Sequence, residues 1–416
     1  MDTITHGIAG ALLGKALFGG DEMLSTRPMN ARRVITWSLM TGAIFPDIDV
    51  LGDVFSHNDL LIITWHRSIT HSLLCLPIFA LLLAALTHGI CRGFHWEAPS
   101  FAKLTGIYAV GILSHILLDL VTTFGTMIWS PLEYSRPAWD LIFIVDFTLA
   151  GLLLLPQFLA WIYAPGGQWK LRAISIWAIS ELAVMAVTAV AQYVGAPISA
   201  QNVAIVSLLV TTAIFLPSKS GLGSRVSLAG WNRAGLLVSC AYIFLAAYAH
   251  HVALERIKSF AAFQKLSVLS IGALPLPPSL WHWDGLVSTS RGIYEWRIDL
   301  SQKSAIVDAP QNTSAPTATG TQPAGAAAAL PTLEYRFYPN ALPNPYIDKA
   351  HQLPEVQEVL WFSRFPVTRF HKEGDDAVVE ILDKRFPQVR LDRPSAFTYR
   401  VRFGAQGQVV SQGWEK

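Results

Sequence analysis

Long apolar runs are the feature that most constrains the fold of this chain. Residues 69–254 contain only 14 charged residues in 186. Apolar runs of about 17 to 25 residues match a hydrocarbon core about 30 Å thick. The whole chain is 52% hydrophobic and 14% charged, which is too apolar for an ordinary soluble domain. The sequence therefore predicts a polytopic membrane protein.

The apolar runs divide into eight segments, and the composition changes after them. The segments are predicted at 4–18, 34–45, 69–90, 102–124, 140–163, 173–194, 201–217 and 234–254. The first two are short, so each could be a short span or a half-inserted helix. We therefore expect an all-α polytopic membrane bundle of about eight membrane segments in residues 1–254.

Alternating apolar and polar residues from about residue 255 predict strands. Residues 255–416 are accordingly expected to form a small β-rich extramembrane domain. A tract rich in Pro, Ala and Thr at about 305–331 cannot bury a core, which predicts a disordered insertion there.

Basic residues predict the orientation of the bundle. If the segments alternate, one side receives Arg27, Arg32, Arg33, Arg92, Lys103, Lys170, Arg172, Lys219, Arg225 and Arg233. The other side's short connections after residue 68 hold only Arg136. The positive-inside rule makes the first side cytoplasmic. We therefore predict a multi-pass membrane protein whose C-terminal domain lies outside the cytoplasm, in the periplasm or its equivalent.

Five short polar islands interrupt the apolar first third of the chain, and their side chains suit a divalent metal. The predicted ligands are His6, Asp47, His66, His71, His115 and Asp119. Each lies at or near the predicted periplasmic end of its segment, so all could meet on one face. Ligation by imidazole and carboxylate without cysteine favours zinc, with manganese or iron as alternatives.

Local spacing supports part of this grouping. His115 and Asp119 are four residues apart, which places both side chains on one face of a helix. A helix that begins near Ser68 would leave His66 in the preceding loop and His71 on the first turn, within reach of one ion. An interfacial histidine with a satisfied hydrogen bond is the plain alternative for either residue alone.

Two further residues are predicted to act in catalysis, and three have uncertain roles. Asp49 is a candidate to take a proton from water, and Arg67 to bind an anionic oxygen of the substrate. Asp140 is predicted to cap a helix, while Asp146 would need a partner inside its segment. Glu181, midway along a span, favours the main alternative, a transporter or channel. A scaffold with a structural metal is the third hypothesis.

The polar islands also resemble one family. The resemblance is carried by MDTITHGIAGALLG at 1–14, GAIFPDIDVL at 42–51, HRSITHSLL at 66–74, SHILLDLVTTFGT at 114–126 and WDLIFIVDF at 139–147. In this order and context, the motifs are similar to those of the membrane-bound metal-dependent hydrolases of the YdjM and YbcI type. That family is described as LexA-binding and associated with the inner membrane. The resemblance covers about the first 165 residues.

The family resemblance implies a ligand set and a reaction class. Residues at the family's metal-ligand positions are His6, Asp47, Asp49, His66, His71, His115 and Asp119. The segment WFSRFPVTR at 361–369 resembles the tail of longer members that carry a periplasmic domain. The implied activity is metal-assisted hydrolysis, and the resemblance implies no substrate. The depth of the predicted site favours an ester or phosphoester in a small, lipid-like or envelope-derived molecule. A net charge of +2 predicts no nucleic-acid partner, and membrane lipid is the expected contact.

Overall fold

A computed structural model describes most of the chain. The described residues are 1–19, 30–52, 56, 58–166, 168–193, 198–277, 279–302, 335–386 and 397–415. The tract at about 305–331, for which the sequence predicts disorder, lies outside the described residues, and so does Arg27.

Eight long helices overlap the eight predicted apolar segments. They are α1 (Thr3–Phe18), α2 (Ala31–Ile44), α3 (Leu76–Gly93), α4 (Phe101–Leu120), α5 (Phe147–Ile162), α6 (Trp169–Tyr193), α7 (Ala200–Lys219) and α8 (Leu228–Phe263). Within the described residues, five helices are long and apolar enough to cross a membrane, namely α3, α4, α6, α7 and α8. Helices α1, α2 and α5 have only 16, 14 and 16 residues. The predicted count of about eight spans is therefore not confirmed.

Two helices begin later than the sequence predicts. Helix α5 begins at Phe147 because the side chain of Asp146 caps it, accepting a hydrogen bond from the Leu149 amide at 2.9 Å. The prediction that Asp140 caps this helix is wrong. Helix α3 begins at Leu76, not near Ser68, whose side chain makes no capping bond.

Helices α1, α2 and α4 pack closely because glycines lie where they cross. A Cβ atom on Gly10 of α1 would lie 2.7 Å from the Leu39 carbonyl oxygen of α2. A Cβ atom on Gly111 of α4 would lie 2.9 Å from the same oxygen. Small residues allow such close backbone approach between membrane helices. The packing brings together the beginning of α1 and the ends of α2 and α4.

The C-terminal region contains two four-stranded antiparallel sheets. The first has the order β1 (Val268–Leu276), β2 (His282–Thr289), β3 (Gly292–Asp299), β4 (Tyr335–Pro339), and the second β5 (Pro366–Glu373), β6 (Asp376–Asp383), β7 (Thr398–Phe403), β8 (Val409–Trp414). Two short helices lie between the sheets in sequence, α9 (Pro345–His351) and α10 (Pro354–Phe362). Leu286 and Ile293 of the first sheet pack against Val367 and Leu382 of the second.

The second sheet and its helices cover one end of the bundle. Leu60, Ile63 and Phe124 of the helical part belong to the same apolar core as the second sheet, α9 and α10. Arg364 binds Asp140 through two hydrogen bonds of 3.0 and 2.8 Å. This end of the bundle is the one that carries the polar islands.

Candidate metal centre

Four polar segments meet beneath the C-terminal region. His6 lies in the second turn of α1, and Asp47 and Asp49 lie in the 3₁₀ helix Phe45–Val50 that follows α2 directly. His71 ends a second 3₁₀ helix, Ile69–His71, and the last two turns of α4 supply His115 and Asp119. The close packing of α1, α2 and α4 thus determines where most of these side chains meet.

Two imidazole nitrogens and two carboxylate oxygens converge in the buried centre. His71 Nε2 lies 3.0 Å from His115 Nε2, 3.3 Å from Asp119 Oδ2 and 3.6 Å from Asp47 Oδ1. His115 Nε2 lies 3.4 Å from both of these oxygens. Zinc bonds of 2.0 to 2.1 Å in a tetrahedron separate the ligand atoms by about 3.3 to 3.4 Å. These four residues therefore fit a tetrahedral divalent ion, and we call them the four-residue cluster.

The hydrogen bond at the far side of His115 supports this fit. Its Nδ1 lies 2.7 Å from the carbonyl oxygen of Ala43, which can only accept a hydrogen bond. In the neutral ring the proton is therefore on Nδ1, and the lone pair of Nε2 faces the cluster. Within the described residues, Asp119 Oδ2 is buried and accepts no hydrogen bond. Lone pairs that converge in a buried place require a cation or a proton between them.

Asp49 orients two histidines, His66 and His71. Its carboxylate lies 2.8 Å from His66 Nδ1 and 3.3 Å from His71 Nδ1, and it accepts from the Thr70 hydroxyl at 2.8 Å. Burial disfavours its charge, but the hydrogen bonds from the histidines outweigh burial and hold the pKa of Asp49 below its ordinary value. A carboxylate that stays ionised and fully hydrogen-bonded suits an orienting role better than proton uptake.

Three carboxylates act on His71 at once. Burial alone would lower its pKa, but Asp119, Asp47 and Asp49 outweigh burial and raise the pKa of His71 to about 10. A proton and a divalent ion therefore compete for the same nitrogen, and metal binding at this nitrogen would release a proton.

The remaining predicted ligands lie around the four-residue cluster. The His6 ring stacks on the His115 ring with centroids 3.6 Å apart, and its Nε2 lies 3.2 Å from Asp119 Oδ1. His66 belongs to a second possible ligand group with Asp49 and His71. The His66 side chain is 18% exposed, which makes it the most accessible of these histidines.

Arg67 is buried beside the cluster in a strained backbone conformation. Its φ of 65° is in the left-handed region, which non-glycine residues rarely adopt. Its Nη2 lies 2.8 Å from Asp119 Oδ1, and its Nη1 donates to the Thr122 hydroxyl at 3.1 Å. The amino group of Met1 also contacts Asp119. Arg67 Nε is buried and has no hydrogen-bond partner among the described residues.

The three carboxylates whose roles the sequence leaves uncertain do not belong to the four-residue cluster. Asp140 pairs with Arg364, as described above. Asp146 accepts hydrogen bonds from the Tyr242 hydroxyl at 2.8 Å and the Ser279 hydroxyl at 2.6 Å, which supplies the partner that its segment requires. Glu181 of α6 accepts from Ser207 of α7 at 2.6 Å. Among the described residues, this partner of Glu181 does not belong to the four-residue cluster.

Sequence reasoning missed the hydroxyl groups that hold the carboxylates. Thr3 donates to Asp47 Oδ2 at 2.6 Å, and Thr70 donates to Asp49. Both threonines lie inside the motifs at 1–14 and 66–74. Their position one to three residues from a histidine was the available signal.

The apolar helices and the buried cluster define an integral membrane protein with a candidate metal centre. Residues 1–197 match the model of the YdjM inner membrane protein family. This match is consistent with the family that the sequence motifs predict, over the same part of the chain. A search of curated proteins and a search of solved structures each gave no significant match.

Proposed function

We propose that this protein is a membrane-bound metal-dependent hydrolase that cleaves an ester or phosphoester. The observation that carries the proposal is the four-residue cluster, with the His115 tautomer set by Ala43. In this proposal Asp47, His71, His115 and Asp119 hold one divalent ion. The near-tetrahedral spacing of their atoms favours zinc over manganese or iron.

The surrounding residues would position the reacting groups. Bound by these four residues, a divalent ion would have to take a water as an additional ligand; it would then lower the pKa of that water and polarise the bond that is cleaved. Asp49 keeps His66 and His71 in place, and Arg67 stabilises negative charge that develops on the substrate. His6 contacts the carboxylate of Asp119 and stacks on the ring of His115, which holds both side chains in place.

We also propose a topology for this site. The cluster lies at the end of the helices opposite to Arg92, Lys103 and Arg172. The positive-inside rule makes the end with these basic residues cytoplasmic. The cluster and residues 255–416 would then be periplasmic, with the short helices α1, α2 and α5 completing an eight-segment bundle.

Hydrolysis by purified protein tests the proposal. The full chain in detergent should hydrolyse a soluble phosphodiester such as bis-p-nitrophenyl phosphate after loading with zinc. His115→Ala and Asp119→Ala should lower the rate by at least about a hundredfold, because each removes a ligand. His88→Ala is the matched control, since His88 lies on α3 outside both ligand groups. Equal rates in all variants would contradict the proposal, and ion flux in vesicles would favour a transporter.

A further inference from the structure

The C-terminal region closes one approach to the candidate metal centre. The second sheet with α9 and α10 packs on Leu60, Ile63 and Phe124, directly beside the segment that carries His66. The indole of Trp414 at the end of β8 donates to the carbonyl of Asp59 at 2.7 Å. A substrate therefore has to reach the centre from another direction.

The accessible edge of the centre is apolar. Thr3 and Asp47 share an exposed hydrogen bond of 2.6 Å, and each is followed in the chain by a large exposed side chain, Ile4 at 76% and Ile48 at 50%. Leu51 and Trp65, the residue before His66, are about half exposed as well. We call Ile4, Ile48, Leu51 and Trp65 the apolar rim. Apolar side chains that stay exposed next to the residues of a polar site offer contacts to an apolar ligand.

The charges behind the apolar rim favour an anion. Asp47, Asp49 and Asp119 supply three negative charges, and the buried side chain of Arg67 and the half-buried side chain of Arg136 supply two positive ones. A bound divalent ion would make this group of charges net positive by one when the histidines are neutral. Among the described residues nothing accepts from the buried Nε of Arg67, which leaves this donor for an anionic oxygen.

Arg136 contributes its charge without blocking the centre. Its guanidinium lies against the Phe124 ring at 4.9 Å and donates to the carbonyls of His66 and Gly125, each at 3.2 Å. Within the described residues, no carboxylate forms a salt bridge with it. Its charge therefore adds to the positive electrostatic potential at the site.

We propose that the substrate is an anionic phospholipid that reaches the site sideways from the membrane, with its acyl chain on the apolar rim and its phosphate near Arg67. This inference rests on the proposed function and names its substrate class. An amphiphile matches both observations, because its chain replaces water at the rim and its headgroup meets the excess positive charge.

Photo-crosslinking in nanodiscs tests the proposal without requiring turnover. The full chain is reconstituted with phosphatidylglycerol that carries a diazirine in its acyl chain, and labelled peptides are mapped by mass spectrometry. A parallel sample contains phosphatidylcholine with the same diazirine-bearing acyl chain. The ratio of anionic to neutral labelling should be highest in the peptides of the apolar rim. Ile48→Ser combined with Trp65→Ser should lower this ratio at least about fivefold, the size expected when buried apolar contacts are lost.

Leu209→Ser is the matched control, because Leu209 is an exposed apolar residue on α7, a helix outside the site. It should leave the ratio at the rim unchanged. Labelling that is equal for both headgroups, or that is unaffected by the rim variants, would overturn the inference. Selective labelling at the rim in a protein that hydrolyses no probe would support the inference and count against the proposed function alone.

Discussion

Burial changes the chemistry of single side chains in the C-terminal region as well as in the candidate metal centre. Asp284 of β2 and Glu295 of β3 are buried on one sheet, and the ammonium of Lys384 lies 2.8 Å from Glu295. Burial and the charge of Glu295 raise the pKa of Asp284 to about 7, while Lys384 and Arg297 act in the opposite direction. Two carboxylates thus compete for one lysine.

This pair predicts a pH dependence of stability. Because the pKa of Asp284 is raised above its ordinary value of 3.8, its contribution to stability is fully present below that value. The contribution is lost as pH rises towards 7. Asp284→Asn should raise the free energy of unfolding at pH 8 by about 1–2 kcal/mol and flatten its pH dependence. Thermal unfolding between pH 4 and 8 measures this, and an unchanged slope in the variant would contradict the assignment.

The sequence alone predicted the ligand-type residues of the centre, but not all of their roles. His115 and Asp119 follow from helical spacing, since a four-residue interval places them on one face. The hydrogen bonds of Asp49 could not be predicted, because they depend on a turn in which Arg67 adopts a left-handed conformation. A backbone conformation of this kind has no signal in the pattern of apolar residues.

At the level of helices, the contact between α2 and α4 carries the geometry of the centre. His115 lies one turn after Gly111, and its Nδ1 reaches the Ala43 carbonyl only because α4 approaches α2 closely. A side chain at Gly111 would separate the two helices and move His115 away from the cluster. Glycine at this position therefore contributes to the site without touching a ligand.

Substitution of this glycine tests the helix contact. Gly111→Leu should lower the free energy of unfolding by about 1–3 kcal/mol through overpacking and should weaken metal binding. Gly106→Leu on the same helix is the matched control, because a Cβ there meets no atom within 4 Å. Thermal unfolding and metal titration of both variants make the comparison. Equal behaviour of the two variants would show that close approach at Gly111 does not shape the centre.

Apolar runs predicted the presence of all eight helices but not their ends. Helix α3 begins seven residues after the predicted start at residue 69 because Ile69–His71 forms a separate 3₁₀ turn. Thr70 and His71 bind Asp49 in that turn. Contacts with a residue about twenty positions away in sequence thus overrode the local apolar pattern.

Across the whole molecule, an ion pair and a hydrogen bond from a buried arginine join the C-terminal region to the loops around the centre. Arg364 forms a bidentate pair with Asp140, a residue with a φ of 55°. Arg385 donates to the Thr123 carbonyl at 3.1 Å, in the loop that follows Asp119. Residues more than 200 positions apart make these contacts, so the sequence pattern could not predict them.

Loss of the ion pair between Arg364 and Asp140 should weaken the contact between the C-terminal region and the helical bundle. Arg364→Ala leaves the carboxylate of Asp140 buried without its partner, which should cost about 1–3 kcal/mol of stability. Amide hydrogen exchange in the loop after Asp119 should become faster. Lys258→Ala is the control, because it removes an exposed pair with Glu255 and should change stability by less than about 0.5 kcal/mol. Unchanged exchange in Arg364→Ala would show that the pair does not join the two parts.

Metal analysis of the purified full chain tests the central claim most directly. Elemental analysis combined with X-ray absorption spectroscopy gives both the number of ions and the types of ligand atom. The four-residue cluster predicts one divalent ion per chain, bound by two imidazole nitrogens and two carboxylate oxygens. His115→Ala should abolish this signal, and His88→Ala should retain it. A full-length protein that binds no stoichiometric metal after loading, or one whose ion is bound by other residues, would contradict the account.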